Sequence, residues 1–358
     1  MLRETGLAAA LTVAAFGADY RVLAPTAQDN LTVFPIVSDN IHKTDMFLTL
    51  DEGIRSGQVV VTEMGNFGMV RPRHHGSGIP DPWPEHRTEP PPQYSSAEVN
   101  RLILVNNSDR PLILLAGEIV TGGKQDRIVG RDRIVPPHSE PIDLSVFCVE
   151  PHRWEESSAK FGAAQAMMAQ PSVRKQAMAA KDQHQVWNEV ARSRAAIVAA
   201  APPPAAVALT DSSSYAKTMQ NGAVAGRVDL LAAPVARSWE RTLGELRARK
   251  AVGAVVAVNG EIVWADIFAS PGLLEKYWPK LVRSYAAEAV SLQSYRKAAS
   301  QGDAQAFLDD FHAQRENVDS DPAVFRNTEI VGSGFDAFIL TALLPGTDFN
   351  IHVAKMKN

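Results

Sequence analysis

The chain has 358 residues, with 36 Lys+Arg against 40 Asp+Glu, a formal charge of −4 and 45% apolar residues. That composition fits a globular protein of about two domains and excludes a strongly basic nucleic-acid-binding chain. The single cysteine, Cys148, excludes an internal disulfide framework and any multi-cysteine metal centre, and beyond the first segment no apolar run reaches the roughly 18 residues of a membrane span.

Residues 1–18, MLRETGLAAALTVAAFGA, place Arg3 before an apolar stretch of the length used by secretory signals, which predicts export to the periplasm or beyond. A short Ala-rich helix packed on the domain is the alternative, and a cytoplasmic protein goes with it. Leu31 to Val37, LTVFPIV, reads as a first or edge strand because of its proline. Thr49-Leu50-Asp51-Glu52 is a capping-box pattern, so 49–56 is a short helix closed by Gly57, and 57–64 a strand. The proline density of 72–93, which also holds His74 and His75, predicts a long exposed loop. From 98 to 149, short apolar runs separated by Asn-Asn-Ser-Asp, Gly-Gly and Pro-Pro predict an antiparallel sandwich or partial barrel.

Past Pro151 the pattern turns helical, with Ser172 as expected N-cap of a helix to about Ala195, and 201–214, APPPAAVALTDSSS, reads as a linker or surface loop. Thr242 to Glu245 is a second capping-box pattern. Asn259-Gly260, between two apolar runs, is the preferred pair of a type I′ hairpin. Ser270-Pro271 caps a following helix, which Pro279 should break or kink after Trp278. The final stretch, FDAFILTALLPGTDFNIHVAKM, reads as a last hairpin.

The densest polar motif is Gly117-Glu118-Ile119-Val120-Thr121-Gly122-Gly123-Lys124-Gln125-Asp126-Arg127. Backbone amides around the double glycine can form an anion nest, to which Lys124 and Arg127 add charge-assisted contacts; a solvated hairpin turn explains the same residues. Arg131 and Arg133 alternate on one face of the next run. Cys148 and Glu150 share a face if 144–150 is a strand, but a cysteine in SVFCV reads as a core residue unless a base such as His152 is in reach. Asp266, set among apolar residues, must be paired if it is buried, and Arg283 or Lys280 on the following helix are the expected partners. No His-x-His, His-Glu-x-x-His or Gly-x-Ser-x-Gly spacing occurs, so neither a metal site nor a serine hydrolase is expected, and the sequence leaves any cofactor unknown.

Three stretches, AGEIVTGGKQDRIV, SVFCVEPHRW and VNGEIVWADIFASPGLLEKYWPKLVRSYAAEA, together resemble the prokaryotic family named for its association with ADP-ribosylglycohydrolase and rhodanese/phosphatase-superfamily proteins. The resemblance runs from about Leu31 to the end. Its pattern falls on Gly117, Glu118, Gly122, Gly123, Lys124, Gln125, Asp126 and Arg127, then Cys148, Glu150 and Trp154, and later Asn259, Gly260, Asp266, Trp278, Pro279, Lys280 and Ser284. It implies a setting in ADP-ribose and NAD metabolism by association, without a mechanism.

The expected architecture is α+β: an antiparallel β-rich part at 19–150, a helical segment and linker at 151–214, and a C-terminal α/β part at 215–358. The expected function is accessory binding of an anionic small molecule, such as an ADP-ribose-like nucleotide, at Glu118 and Gly122 through Arg127. One rival is a hydrolase with Glu118, Asp126 or Glu150 as general base. Another is an exported structural or interaction protein.

Overall fold

A computed structural model describes residues 19–63, 101–151, 157–158, 160–163, 167–295 and 297–358. The signal-like segment 1–18, the Pro-rich 72–93 and Trp154 lie outside the described residues. The fold is α+β.

The chain opens with β1 (Tyr20–Val22), β2 (Thr26–Gln28) and β3 (Leu31–Ser38). The edge reading of β3 is overturned: it is buried at every residue and pairs on both sides. Pro35 is accommodated because the outer partner is split, β1 pairing Ile36–Ser38 and β2 pairing Leu31–Val33, so no amide is demanded opposite the proline. After β4 (Leu48–Thr49) comes α1 (Leu50–Arg55), whose N-cap Thr49 and Glu52 form the expected capping box, and Gly57 follows at φ 73°. The next strands are β5 (Val59–Glu63), β6 (Arg101–Asn106), β7 (Leu112–Leu114), β8 (Ile119–Val120), β9 (Arg127–Val129), β10 (Arg133–Val135) and β11 (Ile142–Cys148). They form a five-stranded sheet, β5-β6-β11-β9-β8, and a three-stranded sheet, β10-β7-β4. Leu112, Leu114 and Val135 from one sheet and Val61, Leu104 and Val146 from the other share a single apolar cluster, as a sandwich requires.

The helical part departs from the sequence pattern in four places. Its first helix, α2 (Pro171–Lys175), is capped at Gln170, with Pro171 at the first helical position rather than Ser172 as cap. It runs into a π-helical turn, Gln176–Ala180, and stops at Lys181, which adopts φ 53°. Asp182 then caps a fresh helix, α3 (Gln183–Ala199), by accepting from the Gln185 amide, and that competing cap is the physical reason for the break. Within the expected linker, Pro203–Thr210 forms α4, with a proline in its first turn. Next come α5 (Tyr215–Gln220), α6 (Gly222–Arg241) and α7 (Leu243–Ala248). The second capping box does not form: Thr242 Oγ1 donates to Ser238 and Trp239 carbonyls of the preceding helix, so it closes α6 instead.

The remaining elements are β12 (Ala251–Val258), β13 (Glu261–Phe268), α8 (Pro271–Val290), α9 (Gln301–Asp309), β14 (Ala313–Asp321), β15 (Phe325–Gly332), β16 (Phe335–Ala342) and β17 (Phe349–Lys357). Asn259 and Gly260 take φ 54° and 76°, as a type I′ turn demands. Ser270 caps α8, but Pro279 does not break it; fourteen of its twenty residues are buried, and that packing outweighs one missing backbone hydrogen bond. The sheet runs β1-β3-β12-β13-β17-β16-β15-β14, with β2 also on β3, so both ends of the chain meet in it. On one face Leu281 and Tyr285 of α8 pack with Val256 and Ala354, and on the other Leu308 of α9 packs with Val255 and Val353. Central strands buried on both faces explain the continuous apolar runs of the sequence.

Candidate functional site

Gly122 and Gly123 adopt φ 136° and 51° in the turn between β8 and β9, values that favour glycine. Its amides are taken up by the chain itself. Gly122 N donates to Asp126 Oδ1 (3.3 Å), Gly123 N to the Ser158 carbonyl (3.0 Å), Lys124 N to Glu63 Oε1 (3.0 Å) and Asp126 N to Glu150 Oε2 (3.2 Å). Ser214 Oγ donates to Asp126 Oδ2 at 2.8 Å. Arg127, fully buried, donates to the Gln125 carbonyl at 2.6 Å and lies 3.7 Å from Glu63. Gln125 is also fully buried, and neither atom of its side-chain amide has a hydrogen-bond partner among the described residues. Lys124 points to solvent.

The other candidates fall into separate places. Glu118 accepts from the Leu115 amide (2.7 Å) and from Lys280 Nζ (2.5 Å), and Lys280 also binds Asp51. Burial pushes Glu118 up and Asp51 adds to that, against the pull of Lys280. Cys148 is buried at the end of β11; burial raises its thiol to about 11 against the attraction of Arg127, which disfavours the thiolate.

Asp266 is buried and paired, but neither Arg283 nor Lys280 is its partner. Arg283 binds Asp229 and Lys280 binds Glu118, because those carboxylates lie on their own side of α8. Asp266 is instead gripped by both terminal nitrogens of Arg174 (2.9 and 2.8 Å) and by Tyr285 Oη (2.6 Å). His352 then lies between two carboxylates, Nε2 at 3.2 Å from Asp266 and Nδ1 at 2.5 Å from Asp132. Burial disfavours its charge, but Asp132 and Asp266 overcome that and raise it to about 9. Two cations and two anions thus balance in the core, with Arg174 also stacked 4.4 Å over Trp264. The sequence reading missed Arg174, Asp132 and His352, which come from three distant segments and share no spacing.

Asp132 connects this network to a cleft. The β9–β10 connection and β11 form one wall, the π-helical turn the base, and β14 to β16 the other wall. The cleft has two lobes, of about 310 and 520 Å³, which share Arg131, Ser145 and Asp319. The smaller adds Arg133, Asp321 and Phe325; the larger is walled by Phe147, Met178, Val318 and Phe338. Two ion pairs span the cleft, Arg131 with Asp319 and Lys181 with Glu329 (2.6 Å). Arg131 and Arg133 hold their guanidinium carbons 5.9 and 5.8 Å from the Phe325 ring. Arg133 donates from Nη1 to the Asp143 carbonyl (3.1 Å), while its buried Nε has no acceptor among the described residues. A third depression, of about 650 Å³ between α3, α6 and the end of α8, is lined by Ala, Leu and Val together with Asp29, Asn30, Arg227, Ser291, Gln293 and Ser294, with Arg227 as its one cationic side chain.

A nine-stranded antiparallel sheet with helices on both faces, joined across a charged cleft to two small sheets, defines an α+β protein. The chain belongs to the family described as ARG and Rhodanese-Phosphatase-superfamily-associated Protein domain, whose model matches residues 19–354. No curated protein and no solved structure matches the chain. No helix among the described residues is long and apolar enough to cross a membrane.

Proposed function

We propose that this protein binds an anionic small molecule in the cleft beside Arg131 and Arg133. The observation that carries this reading is the convergence of two guanidinium groups, Arg131 and Arg133, over the Phe325 ring, in a cleft whose volume lies in the range of small-molecule sites. The 122–127 turn is the less favoured seat, because its amides already donate to Asp126, Glu63, Glu150 and Ser158. In this reading Glu118, Gly122, Gly123, Gln125, Asp126 and Arg127 hold the turn that feeds β9 and so set the position of Arg131. A nucleotide such as ADP-ribose is the natural first ligand to try, on the association in the family's name.

Calorimetric titration of the full chain with ADP-ribose and with inorganic phosphate tests the proposal against Arg133→Met and Lys124→Ala variants. Binding that is lost in Arg133→Met and kept in Lys124→Ala supports the cleft. Loss only in Lys124→Ala returns the site to the turn.

A second reading, hydrolysis with a carboxylate base, is favoured by one contact: Asp126 and Glu150 adjoin through the Asp126 amide, and Lys217 Nζ is 4.0 Å from Glu150. Glu118 stands apart with Lys280. Release of product from ADP-ribose by the parent, abolished in Glu150→Gln, would establish it. Export rests on residues 1–18 alone, and N-terminal sequencing of the mature chain decides it.

A further inference from the structure

The two lobes of the cleft differ in chemistry, and that difference specifies more than a charge. We infer that the ligand is bipartite, an oxyanion joined to a flat apolar ring system, with the oxyanion in the lobe of Arg133 and the ring in the lobe of Phe147 and Phe338. The inference rests on the cleft being the binding site, and it names the class of molecule that the site takes.

The small lobe is built for an oxyanion. Arg133 is half-buried, lines this lobe and donates from Nη1 to the Asp143 carbonyl, so its charge can serve an oxyanion once the side chain turns toward the cleft; its Nε has no acceptor among the described residues. Arg131, over the same Phe325 ring, supplies a second cation. Its present partner, Asp319, is exchangeable, since the two side chains are 42% and 65% exposed and a pair in water is weak. Asp321 also lines this lobe and repels any entering anion, so the attraction must come from Arg133 and Arg131 together, and a phosphoryl group has three oxygens with which to engage both guanidinium groups where a carboxylate has two.

The large lobe combines an apolar wall with a polar rim of Asn317, Asn327 and Thr328. Phe147, Met178, Val318 and Phe338 face a space of about 520 Å³, and its one lysine, Lys181, is paired with Glu329. Methionine and aromatic walls favour a flat, polarisable group, through ring stacking and sulfur–aromatic contact. The π-helical turn Gln176–Ala180 sets Ala177 and Met178 at the base of this lobe, and such turns are frequent at functional sites. Because the lobes share Arg131, Ser145 and Asp319, one molecule can fill both.

The test uses the full chain and four probes: inorganic phosphate, ethyl phosphate, 1-naphthyl phosphate and 1-naphthol, titrated calorimetrically at fixed salt. The expected result is 1-naphthyl phosphate at least tenfold tighter than ethyl phosphate. Phe338→Ala should remove that advantage while leaving ethyl phosphate unchanged. If Phe338→Ala fails to fold, Val318→Gln, at a position 56% exposed, should narrow the advantage in the same sense. Equal affinity for the two phosphate esters, with both lost in Arg133→Met, overturns the bipartite ligand and leaves the oxyanion site standing. Binding of 1-naphthol as tight as its phosphate, indifferent to Arg133→Met, overturns the oxyanion site too. No binding by any probe removes both.

Discussion

The Arg174 side chain passes directly over the α-carbon of Gly117: a Cβ at residue 117 would lie 2.5 Å from Arg174 Cγ and 2.7 Å from its Nε. Gly117 also takes φ 99°, which a side chain resists. Gly117→Ala should therefore push Arg174 off Asp266 and strand a buried carboxylate, at a cost of about 3 kcal/mol or more. Urea denaturation measures it, and Arg174→Met should show a similar loss. A Gly117→Ala protein as stable as the parent would mean that Arg174 has another path to Asp266.

Protonation of His352 gives a second prediction. Its folded value, about 9, is above the ordinary 6.5, so its contribution is complete below pH 6.5. Between 6.5 and 9 the unfolded chain releases the proton first, and stability from this group falls by about 2 to 3 kcal/mol across that window. Urea midpoints from pH 6 to 9.5 should decline in the parent, and the decline should be shallower in His352→Gln.

Lys355 produces the opposite slope. Its ammonium lies 4.7, 4.3 and 4.0 Å from the rings of Phe307, Phe311 and Phe335, and it donates to the Phe307 carbonyl (2.5 Å) and the Asp310 carbonyl, closing the C-terminal end of α9. Burial lowers it to about 8, despite Asp310 and Asp309. Between about pH 8 and 10.4 the unfolded chain holds a proton that the native chain has shed, so this group makes stability rise with pH there. Comparing Lys355→Met with the parent between pH 8 and 10 should show that rise absent in the variant.

How far the sequence reveals these features depends on the range over which each one acts. The capping box at Thr49 and Glu52, the Asn259-Gly260 turn and the Ser270 cap all obey local rules, and each forms where its residues stand. Pro279 and Pro35 carry the same local signal and are overridden, Pro279 by burial along α8 and Pro35 by the split partner opposite it. Thr242 has an alternative acceptor one turn back, which no pattern three residues ahead reveals. The cleft draws Arg131, Lys181 and Asp319 from three segments, so spacing identifies only the alternation of Arg131 and Arg133. Asp266 is legible as a buried acid, but its partners, Arg174 and His352, are 92 and 86 residues distant.

The ion pairs across the cleft give a fourth prediction. Asp319 stands on β14, which among the described residues pairs only with β15, and holds Arg131 of the facing wall. Asp319→Asn should change stability by less than about 1 kcal/mol, since the pair is solvent-exposed. It should also quicken hydrogen exchange in β14 and raise affinity for phosphate two- to fivefold, whereas Asp321→Asn, which breaks no such pair, should leave exchange in β14 unchanged. Unaltered exchange in Asp319→Asn would show that the pair does not hold the strand.

The central claim is that the anion sits in the cleft and not on the double-glycine turn, and amide chemical shifts followed through a phosphate titration of the isotopically labelled chain locate it most directly. The account predicts shifts at Arg131, Arg133, Ser145 and Asp319 with little change at Gly122, Gly123 and Lys124. Shifts confined to the turn would contradict it.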